Sequence, residues 1–364
     1  MADAPLEVCR PRLGRLTTLD CTLRDGGYHN NWRFSTDFAR GYLKAAESAG
    51  IDVLEIGFRH LQAQPDSGPF ACSHDSFLKQ LHFPSDVTVA VMVNLSELIS
   101  STESLQQRTD HFFPPRSESP VSMVRVAAHF STVQQAPAVV NRLHERGYRV
   151  GVNLMQAPSK QLSEVENAAR IVGVCQPEVL YFADSLGSAY PAQVESIADA
   201  LRQAWGGEIG FHAHDNRGLA LINTLAAAEC GVTWLDGTLM GMGRGAGNCR
   251  TECLLSELLS TSAEYRPETL YPFLKAHVEP LMQTYGWGPN VLYSLAAERE
   301  IHPTYLQEVI THEQRIGSPV DVGRLFEILG TTDRVGKFQP AVLKRLIEAC
   351  FSPAPGANTA RRAA

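Results

Sequence analysis

No stretch of this 364-residue chain stays apolar for 18 residues, so nothing in it reads as a membrane span. The N-terminus, MADAPLEVCRPRLGRL, lacks the apolar core of a secretory leader. No basic block stands out against the net charge of −7, which argues against nucleic acid as a partner. The acidic excess is a solubility feature. Eight cysteines are present, but none forms a C-x-x-C pair. In a long chain without a leader they read as reduced thiols in a cytoplasmic protein. Cys249 and Cys253 read as small buried residues, and Cys21 stands out for the motif beside it.

What is present is a strand pattern followed by a helix pattern, repeated through the first 260 residues. The runs RLTTLDCTLRD, DVLEIGF, VTVAVMVN, SMVRVAA, RVGVNLMQ, EVLYFADSLG, EIGFHAHD and VTWLDGTLMG read as strands. VTVAVMVN is nearly all apolar, as a strand buried on both faces requires. Helical runs such as STDFARGYLKAAESAG and PAQVESIADALRQAW stand between them. Eight alternating units predict an α/β fold of the (β/α)8 TIM-barrel type over residues 15–260. The third unit is the least regular, since residues 96–120 mix helix and Pro/Ser-rich loop. Residues 262–350 lose the strand pattern and read as a helical extension. The Pro/Ala/Gly-rich residues 351–364 read as a disordered tail.

Barrel chemistry sits where strands end. The first strand delivers Asp20, Arg24 and Asp25 there, the second Glu55 and Arg59, the fifth Asn153 and Gln156, the sixth Asp184 and Ser185. The seventh carries His212 and His214, which period-2 geometry places on one face. Two imidazoles and a carboxylate, Asp20 or Asp25, make a three-ligand metal site with open positions. Arg24 offers a fixed cation for an oxyanion beside it. The loop GMGRGAGN brings backbone close to a ligand, and Asn248 ends it with a carbonyl oxygen. Bland alternatives exist for several of these residues. Glu55 and Arg59 can pair with each other, Asp184 can cap its strand, and Asp236 can anchor the last turn. His60, His74, His82, His129 and His144 read as surface or satisfied residues, with His129 at a strand end.

Three motifs occur in order: DCTLRDGG at Asp20–Gly27, HAH at His212–His214, and GMGRGAGN at Gly241–Asn248. This set resembles the DRE-TIM metallolyase superfamily, over about residues 15–260 and more weakly in the extension. The resemblance implies Asp25, His212 and His214 as metal ligands, with Asn248 as a further oxygen ligand. It implies Arg24 as the enolate-stabilising residue and Asp20 as a support for Arg24 or the strand turn. The acetyl-CoA-condensing synthases read RDGEQ where this chain reads RDGGYH, and the lyase of hydroxymethylglutaryl-CoA has a cysteine loop that GMGRGAGN lacks. The chain is most similar to the 4-hydroxy-2-oxovalerate aldolases. Those carry RDGxH, with the histidine as base; here His29 lies one residue further along and is the expected base for the 4-hydroxyl proton, with Tyr28 sharing its role. Tyr293, in NVLYSLAAERE, matches their catalytic tyrosine.

The implied reaction is reversible aldol cleavage of a 4-hydroxy-2-oxo acid to pyruvate and an aldehyde, through an enolate held by a divalent metal. Manganese is the first expectation, with magnesium, cobalt or zinc as alternatives. Tyr28, Glu55, Arg59, Asn153, Asp184 and Ser185 are expected to contact substrate or support the residues that do. The resemblance also implies a homo-oligomer and an acylating aldehyde dehydrogenase as partner. Competing readings are a Claisen-type acyl-CoA transferase, a hydroxymethylglutaryl-CoA lyase-like enzyme, and a barrel that binds a ligand without catalysis.

Overall fold

The computed structural model describes residues 16–61, 65–99, 104–262 and 264–351. The residues of the expected tail beyond Phe351, and most of the N-terminal run, lie outside them. Eight parallel strands close into a barrel in chain order, with the first paired to the eighth. They are β1 (Thr17–Asp20), β2 (Val53–Phe58), β3 (Thr88–Asn94), β4 (Met123–Ala128), β5 (Arg149–Leu154), β6 (Val179–Asp184), β7 (Glu208–Ala213) and β8 (Trp234–Gly237). The TIM-barrel expectation holds, and among the described residues no helix is long and apolar enough to cross a membrane.

The strands read as apolar because both their faces are covered; every residue of β2, β4 and β6 is buried. Amphipathic helices supply the outer cover. The helix Thr36–Ser48 begins where the Ser35 hydroxyl accepts from the Phe38 amide at 3.0 Å, and it buries Phe38, Tyr42 and Leu43. Irregularity concentrates in the third unit. A one-turn helix, Asp75–Leu78, precedes β3, and the helix Leu105–Phe112 opens with a Ser104–Gln107 capping box.

One strand is shorter than its sequence suggests. β1 stops at Asp20, and Thr22–Asp25 winds into a helical turn. Asp20 causes this: its carboxylate accepts from the Thr22 amide at 2.9 Å and competes with further sheet pairing. Thr251 and Tyr42 hydroxyls donate to the same carboxylate at 2.5 and 2.7 Å. Arg24 and Asp25 therefore leave the barrel wall on a turn above the mouth.

The extension is helical, as expected. Val291–Glu298, Pro303–Ile316, Val322–Gly330 and Pro340–Cys350 enclose a second apolar cluster around Tyr305, Leu306, Leu325, Leu329 and Leu346. Ala246, from the loop after β8, belongs to that cluster. The extension thus packs directly on the glycine-rich loop of the mouth.

Inside the barrel, an apolar floor of Leu19, Val53, Ala90, Met123, Val179, Tyr181 and Trp234 carries a charged layer. Its centre is Arg125 on β4, fully buried. Its guanidinium donates to Glu55 at 3.0 Å and Asp236 at 2.7 Å and lies 4.0 Å from the Tyr181 ring centre. Burial works against its charge, but Asp236 and Glu55 outweigh that and raise its proton affinity above the ordinary value. Arg125→Met removes one guanidinium from two buried carboxylates, leaving Glu55 with Arg24 and Asp236 with His212. It is expected to lower unfolding stability by roughly 3–5 kcal/mol in urea titration. A loss below about 1 kcal/mol would show that the layer does not depend on this cation.

Candidate active site

The site is a cavity of about 250 Å³ at the carboxyl ends of the strands. Arg24, Asp25, Tyr28, Asn153, Ser185, His212 and His214 all line it, so the structure gathers half of the residues expected from sequence in its wall. Phe58, Met92 and Ala127 give it one apolar wall.

Asp25, His212 and His214 converge: one ligand atom from each lies within 4.8 Å of the others. His212 is oriented from behind, where its Nδ1 faces Asp236 at 2.9 Å. That bond leaves Nε2 pointing toward Asp25, 3.6 Å away, too long for a hydrogen bond. His212 Nε2, His214 Nδ1 and Asn248 Oδ1 are buried with no hydrogen-bond partner. Unpartnered buried acceptors are rare, and the free His212 Nε2 in one cluster with Asp25 and His214 fits a metal ion. A carboxylate behind a ligating histidine is the usual support of such a centre.

Electrostatics agrees with the geometry for Asp25 and His214, whereas at His212 burial is outweighed by Asp236 and Asp25, which raise its proton affinity, so an ion would bind there in competition with a proton. Burial works against the Asp25 charge, yet Arg24 and then the two histidines outweigh it and hold its carboxyl well below the usual carboxylate range. Burial holds His214 well below the ordinary imidazole value, so it is neutral, the form that ligates. A second cluster, Cys21, His212 and Asp236, is equally compact but fits poorly. Its Asp236 oxygen already accepts from Arg125 and His212, and burial pushes the Cys21 thiol well above its ordinary value.

Arg24 is clamped between Asp25, 2.6 Å from Nη1, and Glu55, 2.5 Å from Nε. Its Nη2 is buried and unpartnered. Glu55 thus pairs with Arg24 and Arg125, not with Arg59. Asn248 stands beside the cluster, its amide Nδ2 donating to Asp25. The loop that delivers it needs glycine: Gly247 has φ +93°, and a Cβ there would collide with the Gly241 carbonyl.

Four expected residues lie elsewhere. Arg59 turns outward to Asp75 at 2.6 Å and to the Ser73 and Phe112 carbonyls. Asp184 caps the turn after β6, accepting from the Ser188 and Ala189 amides at 2.9 and 3.1 Å; burial carries its pKa up to about 6 against those bonds. His29 donates from Nε2 to the Gly243 carbonyl at 2.7 Å and packs by the rings of Tyr285 and Trp287, away from the cavity lining. Tyr293 sits in the second apolar cluster, beside Gly245. Asp20 supports the strand turn, as described above.

Residues missed by sequence reasoning also reach the cavity: Asn94, His129, Arg244 and His302. Arg244 lies inside the quoted glycine-rich motif, and His129 at a strand end, so a signal existed for both. His302 arrives from the extension, which no local pattern announces.

A family model described as HMGL-like matches residues 15–269. Over 248 residues, 66% of this chain and 69% of the relative, the sequence is 30% identical to a Mycobacterium tuberculosis protein named oxaloacetate decarboxylase. It is 27% identical over 268 residues to the 4-hydroxy-2-oxovalerate aldolase of Pelotomaculum thermopropionicum, covering 73% of this chain and 76% of that one. The fold matches the HMG-CoA lyase structure from Bacillus subtilis with a TM-score of 0.62 at 20% identity, over 79% of this chain and 99% of the other. With the family model spanning the whole barrel and the mouth motifs that shape its cavity, the chain belongs to the HMGL-like family.

Proposed function

We propose that this enzyme is a divalent-metal-dependent carbon–carbon lyase that reversibly cleaves a 4-hydroxy-2-oxo acid to pyruvate and an aldehyde. The observation that carries this reading is the buried convergence of Asp25, His212 and His214, one ligand atom from each within 4.8 Å of the others, with His212 Nε2 unpartnered and Arg24, its Nη2 spare, bonded to Asp25. Asp25, His212 and His214 would hold the ion, with Asn248 Oδ1 beside them, and a bound manganese, magnesium, cobalt or zinc ion supplies Lewis acidity toward the 2-oxo acid. The donor set of two imidazoles and oxygen does not choose among these metals.

The chain's own residues divide the remaining work. Glu55 and Asp25 fix the Arg24 guanidinium, so its free Nη2–H stands ready for the oxyanion of the pyruvate enolate without reorganising. Phe58, Met92 and Ala127 keep water from that side. The 4-hydroxyl proton needs an acceptor in the cavity, and His29 is engaged elsewhere. His129 and His302 line the cavity. Burial, then Lys337 and Lys160, lower the first. Burial, then Arg244 and His129, bring the second down to about 2.

A second reading is favoured by one relative's name and by the withdrawal of His29. Oxaloacetate decarboxylation breaks the C3–C4 bond to release carbon dioxide and leaves the same enolate, with no hydroxyl proton to accept. The two are separated by comparing kcat/KM for 4-hydroxy-2-oxopentanoate and oxaloacetate; a higher value for oxaloacetate would replace the aldolase reading.

Removal of divalent metal with EDTA is expected to abolish pyruvate release, and added Mn2+ to restore it. His214→Ala should weaken Mn2+ binding by at least about tenfold in calorimetry. Arg24→Ala is expected to lower kcat by about 10²–10³-fold with Mn2+ still bound. A kcat within about threefold of wild type would remove Arg24 from the mechanism.

A further inference from the structure

Arg244 lies in the loop between β8 and the helix Thr251–Leu258 and lines the cavity. Its situation differs from that of the other interior arginines. Arg24 and Arg125 are each held by two carboxylates. Arg244 has only neutral partners among the described residues. Its Nη2 donates to the Ser185 carbonyl at 2.9 Å, its Nη1 lies 3.4 Å from His302 Nε2, and its Nε is buried without a partner. The guanidinium also stands over the Tyr28 ring, 5.6 Å from its centre.

A guanidinium presents five donors and a permanent charge. Drawn partly out of water, it is left short of one anion. The cavity does not supply that anion. Asp25 is its one acidic lining residue, and Asp25 is bound by Arg24 and Asn248. Burial, then the charges of Lys337 and Lys160, which lie outside the lining, lower the proton affinity of His129 in the lining.

We propose that Arg244 receives a carboxylate at the end of the substrate remote from the 2-oxo group, so that the preferred substrate is a dicarboxylic 4-hydroxy-2-oxo acid. This rests on the lyase reading given above. The cleaved acid then yields pyruvate and an oxo-carboxylate, glyoxylate in the shortest case. The C3–C4 bond breaks, its electron pair passes to C3, the 4-hydroxyl oxygen becomes the aldehyde oxygen, and the released proton ends on C3. The carboxylate on Arg244 keeps its charge throughout. That distinguishes it from the departing carboxylate of a decarboxylation, whose loss as neutral carbon dioxide a guanidinium would oppose.

The test runs the full-length enzyme in the condensing direction, with pyruvate, Mn2+ and one of two aldehydes. Glyoxylate carries the carboxylate; 2-methylpropanal has the same branching without charge. The readout is the ratio of kcat/KM for the two, compared between variants, which cancels their intrinsic electrophilicities. Arg244→Met is expected to lower the glyoxylate-to-2-methylpropanal ratio by about 10- to 100-fold, the range of a charge-assisted contact. Arg244→Lys should fall between it and wild type. A ratio within about twofold of wild type in both variants overturns the inference. A larger loss for glyceraldehyde 3-phosphate than for glyoxylate overturns the carboxylate assignment. Failure of the lyase reading looks different: wild-type enzyme would neither exchange the pyruvate methyl protons for deuterium nor join pyruvate to either aldehyde.

Discussion

The structure depends on a closed circuit of buried charge. Asp25 meets Arg24, Arg24 meets Glu55, Glu55 meets Arg125, Arg125 meets Asp236, and Asp236 meets His212, whose free nitrogen faces Asp25 again. Each link is in the barrel interior, where an unmatched charge costs several kcal/mol. No member can therefore turn away without stranding its neighbour. Side chains from a turn and four strands are held in one arrangement before any ligand arrives. With His212 deprotonated, as a ligand must be, three carboxylates against two guanidiniums leave the circuit one negative charge, which a divalent cation and a singly charged acid would together neutralise.

This preorganisation divides the cavity lining by restraint. The ligand residues and Arg24 are fixed by the buried ion pairs. Arg244 and His302 are held by neutral partners. Relatives named for an aldolase and for a decarboxylase both resemble this chain at 27–30% identity.

Much of this was legible in the chain itself. Alternating units foretold the barrel, and period 2 on β7 foretold that His212 and His214 share a face; their rings are 5.1 Å apart. The failures have local causes. β1 ends early because Asp20 captures the Thr22 amide, so Arg24 to His29 lie on helical turns, not on a strand. A one-residue shift on a helix rotates a side chain by about 100°. Tyr28 consequently faces the cavity and His29 faces the loop. Arg59 went astray because a long side chain pairs with whatever carboxylate it reaches, here Asp75. Arg125, the one charge in the apolar run SMVRVAA, carried a signal that only its partners on β2 and β8 explain.

Among the contacts of the extension with the mouth, one amide bridges two loops at once. Gln307 donates from Nε2 to the Tyr28 carbonyl at 3.0 Å and accepts from the Gly245 amide at 2.8 Å. The turn after β1 and the loop after β8 are thereby tied to a helix that owes nothing to the barrel's hydrogen-bonded sheet. One side chain acts as a rivet between the first and last barrel loops. Reshaping the extension would thus retune what enters the site while leaving the reactive floor as it is.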